Sequence, residues 1–160
     1  MARNYFVMMR INFQVHCVQN SEGAEFVDNL NVDKIDVHIL KGQEKLVESY
    51  SAFIDPWGLF PSKLEQSLKD AGITDVFIVG LGSLLFGSEL MIAEDYCVKS
   101  TALDAKERGF RTVVVEDCTR GVAPDSTESA RKELKDRGVE YMHSSDVKTL
   151  FQSTGKEGNG

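Results

Sequence analysis

The sequence predicts an α/β protein built on a doubly wound, mostly parallel sheet. Three observations carry that prediction. Apolar runs rich in Val and Ile recur at "DVHILKG" (36–42), "DVFIVGL" (75–81), "RTVVVEDC" (111–118) and "VEYMHSS" (139–145). The second and third runs are continuous rather than alternating, as in strands buried on both faces of a parallel sheet. Stretches with helix signals lie between them, and strand–helix–strand repetition is the pattern of doubly wound folds.

Each helix has its own start and stop. "PSKLEQSLKDAG" opens on Ser62, with Glu65 three residues on, the spacing of a capping box. Leu64, Leu68 and Ala71 form its apolar stripe, and Gly72 ends it. "EDYCVKSTALDAKERGF" (94–110) follows the second apolar run, with Asp95 as the expected cap and Gly109 as the stop. "DSTESARKELKDRG" starts at Asp125 or Ser126 and stops at Gly138. Its Glu128–Lys132 and Glu133–Arg137 pairs have the favourable i,i+4 order. Residues 1–150 read as a single domain, and the polar, glycine-rich 151–160 as a disordered tail.

Composition narrows the function classes. The 160 residues are enough for one domain with a substantial core. A formal net charge of -7 with no basic stripe argues against nucleic acid and anionic membranes as partners. No apolar run approaches the roughly 20 residues that span a bilayer. Cys17, Cys97 and Cys118 make an odd count without CxxC spacing. They read as reduced thiols of a cytoplasmic or nuclear protein, not a disulfide frame or zinc knuckle.

Cys97 stands out by its address. It follows a buried strand and opens the next helix, and ligand crevices in open α/β sheets lie at the carboxyl ends of strands. A thiol in a first helical turn faces unpaired amides and the positive dipole end, which favour its nucleophilic thiolate form. Free cysteine is also among the most buried residue types, so position alone leaves nucleophile and core residue both open. "GLGSLLFG" invites a dinucleotide reading, but Gly80, Gly82 and Gly87 do not have the G-x-G-x-x-G spacing.

The segment "DVFIVGL…DYCVKSTALDAKERGFRTVVVEDCTRGV" closely resembles the nicotinamidase/pyrazinamidase branch of the isochorismatase-like cysteine hydrolases. "VHCVQNSEGAEF" (15–26), "ILKG" (39–42) and "YSAF" (50–53) agree in the same order, so the resemblance covers roughly residues 13–147. It implies a three-layer fold and a hydrolase that converts nicotinamide to nicotinate and ammonia through a cysteine thioester. By the same resemblance Cys97 is the nucleophile and Lys41 the cation beside it. Tyr96 and Phe13 match substrate-binding aromatics, and His16 matches a metal ligand. Taken alone, Lys41 reads as a solvated strand end, His16 as structural, and Phe13 equally as core or as a stacking face for a ring. Phe13 and Gln14 replace the family's usual tryptophan and proline.

Two departures bear on activity. "MARNYFVMMRIN" contains no aspartate and no histidine, so the family's catalytic aspartate, two of its metal ligands and its first strands have no counterpart. The domain is therefore expected to be incomplete at its amino terminus, with the divalent metal, zinc in complete family members, bound weakly or not at all. His38 and His143 are the other candidate ligands, without support from the resemblance. "GSLLFGSELMIAE" is also inserted where the family has a short oxyanion-hole turn. Together these read as an incomplete or mis-spliced enzyme sequence whose turnover is impaired. The alternatives are a non-catalytic relative acting as a binding or homo-oligomer subunit, and a cysteine hydrolase of another small amide.

Overall fold

The computed structural model describes residues 18, 20–22, 25, 31–80 and 94–154. Its centre is a three-stranded parallel sheet in the order β1 (Asp75–Ile78), β2 (Arg111–Val115), β3 (Glu140–Met142). β1 registers Asp75 against Arg111 and Ile78 against Val114, and β3 registers Tyr141 against Val114. Because β2 has a strand on either side and cover on both faces, Thr112, Val113, Val114 and Val115 are all buried. That enclosure is why its apolar run does not alternate.

Two helices cover one face and a third the other. α2 (Lys99–Glu107) and α3 (Pro124–Asp136) pack Val98, Ala102 and Leu134 against Val114, with Ile78, Leu103 and Tyr141 around them. On the opposite face Phe77 meets Phe151 of α4 (Ser144–Thr154), with ring centroids 5.4 Å apart. The result is the expected three-layer, doubly wound α/β arrangement. Gly109 and Gly138 lie beyond the carboxyl ends of α2 and α3 at φ +88° and +79°, the left-handed conformation that a Cβ disfavours.

A second cluster joins the short α1 (Leu64–Asp70) to α2. Phe53, Ala105 and Phe110 are buried together, with Leu64, Leu68 and Val76 against them. Arg108 closes its rim. Its guanidinium lies 5.0 Å over the Phe53 ring and reaches Glu65 at 2.9 Å and Asp104 at 3.0 Å. At the amino-terminal edge of the sheet, Arg111 ties β1 to β3 through Asp75 at 3.1 Å and Glu140 at 2.6 Å.

Several local expectations are corrected. Residues 36–42 form no strand, and Val37 and Leu40 are 54% and 70% exposed. Apolar patterning makes a strand only where a ladder partner satisfies its amides, and among the described residues none pairs with this segment. Ser62 accepts the Leu64 N–H at 3.1 Å, but Lys63 takes the cap position of α1 without a side-chain cap bond, and the capping box does not close. Glu65 turns instead to two cations, Lys69 and Arg108, which hold its carboxyl below the usual range. α3 begins at Pro124, one residue earlier than expected, with proline in the first turn. Glu133 of α3 and Arg137 just after it pair with Lys99 and Glu107, both on α2. α4 continues through Thr154, into the segment expected to be disordered. The N-terminal strands expected to be missing, residues 82–93 of the insertion and the end of the tail lie outside the described residues.

Leu134 is fully buried between α3 and β2. Leu134→Ala should lower unfolding stability by about 2–5 kcal/mol, read from urea unfolding. Arg137→Ala, which breaks an exposed pair, should cost at most about 1 kcal/mol.

Candidate active site

The nucleophile segment is not the simple capped helix expected from its sequence. Glu94–Val98 forms a π-helical turn that runs directly into α2. Asp95 does not cap it. The Asp95 carboxylate accepts the Val122 N–H at 3.1 Å and the Ser126 hydroxyl, so it fastens the turn to the start of α3. Such π turns are uncommon and are found often at functional sites.

Glu94 is held more firmly still. Its side chain is fully buried, and Arg131 of α3 grips both carboxylate oxygens, at 2.7 and 2.9 Å. The Thr119 and Tyr141 hydroxyls approach at 3.2 and 3.4 Å, and the Glu94 N–H donates to the Arg120 carbonyl at 2.7 Å. Burial, with the Glu94 charge beside it, pushes the Tyr141 phenol well above its ordinary range. The hydrogen bonds that Arg131 donates to Glu94 likewise raise its guanidinium above the ordinary range. Glu94 had been grouped with the inserted residues, yet in the structure it anchors the turn.

Lys41 approaches from the loop that precedes α1. Its ammonium donates to the carbonyls of Ser49 at 3.1 Å and Tyr50 at 2.8 Å, and lies 3.2 Å from the Cys97 sulfur. Three acceptors match the three protons of an ammonium. Residues 56 apart in sequence are thereby joined, and the cation sits where negative charge develops on a sulfur nucleophile. Cys97 is partly exposed.

Aromatic residues flank the sulfur. The Tyr96 ring lies 6.0 Å from that of Tyr50, and Tyr96 is 37% exposed. Burial, then the charges of Glu48 and Cys97, raise the Tyr50 phenol. Tyr50, within "YSAF", has no local sequence signal of its own, because its place at the site comes from contact with Tyr96, 46 residues away. Asp55 stabilises the same loop. Burial opposes its ionisation, but the amides of Phe60, Trp57 and Leu59 outweigh that effect and hold its carboxyl below the usual range.

The other candidates separate. Phe13, His16 and Cys17 lie outside the described residues, as does the segment where the oxyanion turn is expected. His38 lies in the irregular segment before Lys41. His143 sits at the mouth of α4, 3.4 Å from Asp117 and 2.9 Å from the Ser145 hydroxyl. Among the described residues no three His, Cys, Asp or Glu converge on a possible metal position. A cavity of about 310 Å³ opens on the Lys41 side, bounded by Leu40, Ser51, Ile54 and Phe60; Cys97 is not part of its lining.

Comparison with known proteins identifies the family. An isochorismatase domain matches residues 4–146. The chain belongs to the isochorismatase family. A nicotinamidase of Schizosaccharomyces pombe is 39% identical over 141 residues, covering 88% of this chain and 57% of the relative. An L. infantum protein solved in complex with nicotinate superposes with TM-score 0.71 at 36% identity, covering 81% of this chain and 60% of its own. The pyrazinamidase of Pyrococcus horikoshii, solved in complex with zinc, superposes with TM-score 0.64 at 36% identity, over 81% and 62%. The chain thus spans little more than half the length of these relatives. Within the family its similarity is to the nicotinamidase/pyrazinamidase branch.

The two described thiols should differ in reactivity. Cys97 lies against the Lys41 ammonium, whereas Cys118 closes a 3₁₀ turn after β2. Limiting iodoacetamide near neutral pH should label Cys97 first, as mapped by peptide mass. Faster labelling of Cys118 would show that the Lys41 contact does not activate the sulfur.

Proposed function

We propose that the protein is an amidohydrolase of the nicotinamidase type, acting on nicotinamide through Cys97 in the cytoplasm, as part of NAD salvage. The observation that carries the reading is the 3.2 Å approach of the Lys41 ammonium to the Cys97 sulfur. The relatives' names and the nicotinate complex support the choice of a pyridine carboxamide as substrate.

The reaction has two halves. The Cys97 sulfur attacks the carboxamide carbon, and the tetrahedral adduct collapses with breakage of the C–N bond. The departing nitrogen takes a proton and leaves as ammonia. Water then adds to the thioester, and breakage of the C–S bond gives nicotinate and restores the thiol. Lys41 stabilises negative charge on the sulfur as it departs from and returns to the carbon. Tyr96 provides an exposed aromatic face for the pyridine ring, with Tyr50 behind it. Phe13 and His16 keep the roles that the resemblance implies, as ring contact and metal ligand. Zinc would supply Lewis acidity when bound, and none of the steps above depends on it.

A single-turnover assay with protein in excess of nicotinamide registers even slow acylation. Ammonia release should vanish in Cys97→Ala and fall by about 10²-fold or more in Lys41→Met. Release that persists in Cys97→Ala, or that is absent from the parent chain, would overturn the assignment.

A further inference from the structure

We infer that Thr101 is a positioning residue for this reaction, because its hydroxyl holds the loop bearing Lys41's acceptors against the helix that follows Cys97. The inference rests on the nicotinamidase-type reading and adds to it the means by which two distant segments are kept in register.

A threonine inside a helix commonly turns its hydroxyl to solvent or back to the carbonyl four residues earlier. Thr101 reaches elsewhere. Its Oγ1 accepts the backbone N–H of Ala52 at 3.1 Å, across 49 residues of sequence. Ala52 sits in a tightly bonded stretch. The Ser51 hydroxyl accepts the Phe53 N–H at 3.1 Å, the Ser49 hydroxyl donates to the Ser51 carbonyl at 3.2 Å, and the Ser62 hydroxyl donates to the Ala52 carbonyl at 2.6 Å. Ser51 and Phe53 are both buried. These bonds tie the stretch together, and its Ser49 and Tyr50 carbonyls are the two oxygens that hold the Lys41 ammonium.

A relay follows from these contacts. Thr101 holds the Ala52 amide; the amide fixes the stretch 49–53; its carbonyls fix the ammonium; and the ammonium meets the sulfur four residues before Thr101. Thr101→Val keeps the side-chain shape and removes the acceptor. The Ala52 N–H is then left without its partner in a half-buried place, an arrangement that drives the loop outward to find water. Thr101→Ser restores the acceptor.

The test reads charge at the sulfur rather than stability. Full-length protein is labelled at Cys97 with anionic iodoacetate and with neutral iodoacetamide, and the ratio of the two rates is taken. Accessibility and thiolate fraction act on both reagents and cancel, while a nearby cation accelerates the anion selectively. Lys41→Met should lower the ratio roughly fivefold, the effect of one unit charge at this range in water. Thr101→Val should lower it by a comparable factor, raise hydrogen exchange at the Ala52 amide and reduce kcat more than it raises KM. Thr101→Ser should return all three towards the parent values. If Thr101→Val does not fold, Thr101→Ala removes the same acceptor and is expected to give the same ratio. A parent-like ratio in folded Thr101→Val or Thr101→Ala would overturn the positioning role. A parent-like ratio in Lys41→Met would instead overturn the Lys41–Cys97 pairing on which the functional reading stands.

Discussion

A buried carboxylate decides where the Cys97 sulfur stands. Glu94 carries a charge into a place with no solvent contact, three residues before Cys97. Such a charge is tolerated only when it is paired and its oxygens are satisfied. Arg131 satisfies both, with hydroxyls from Thr119 and Tyr141 adding to them. The partners come from α3, from β3 and from the loop after β2. The π turn is therefore fastened to three separate parts of the domain, and Asp95 adds a fourth link at Val122 and Ser126. Removing Arg131 would strand a buried charge, a costlier event than losing an exposed ion pair.

The lysine is held on a different principle. Residues 36–42 lack a ladder, so Lys41 is not placed by a strand among the described residues. Its position comes from its own acceptors, two carbonyls and a sulfur. Those carbonyls are in turn fixed by hydroxyls and by the Asp55 carboxylate, which gathers three amides of the following turn. Acidification bears on that arrangement in a definite direction. The Asp55 carboxyl is depressed in the folded protein, so its contribution is fully present above the ordinary carboxylate range and is lost as pH falls through its folded value.

Much of this architecture was legible in the sequence, and what was not had identifiable causes. The continuous run of β2 announced a strand covered on both faces, and Gly109 and Gly138 marked helix ends because their conformation excludes most other residues. The order of strand, thiol and helix singled out Cys97 but left it open between nucleophile and core residue, and only the resemblance chose between them. Lys41 needed the resemblance, since a lone lysine has no local signature. Thr101 and Tyr50 depend on contacts across about 50 residues, which no local pattern encodes. The errors share one source. Glu65, Asp95 and Glu133 were each assigned a local partner by spacing, and each found a tertiary one. Spacing rules carry a few tenths of a kcal/mol per pair, whereas tertiary packing places several charged groups within reach at once.

The two anchoring schemes meet at a single pair of atoms. Carboxylates and an arginine hold the sulfur from the α3 side, and hydroxyls and carbonyls hold the ammonium from the α1 side. Neither scheme shares a residue with the other except through α2, whose first turns follow Cys97 and contain Thr101. A displacement of either half would thus appear as a change in one distance, 3.2 Å in this structure. Catalysis is sensitive to such distances, because electrostatic stabilisation and orientation both fall away when reacting groups drift by an ångström. The sheet supplies the platform, and polar contacts within each half, joined across α2 by the Thr101–Ala52 bond, set the distance between the sulfur and the ammonium.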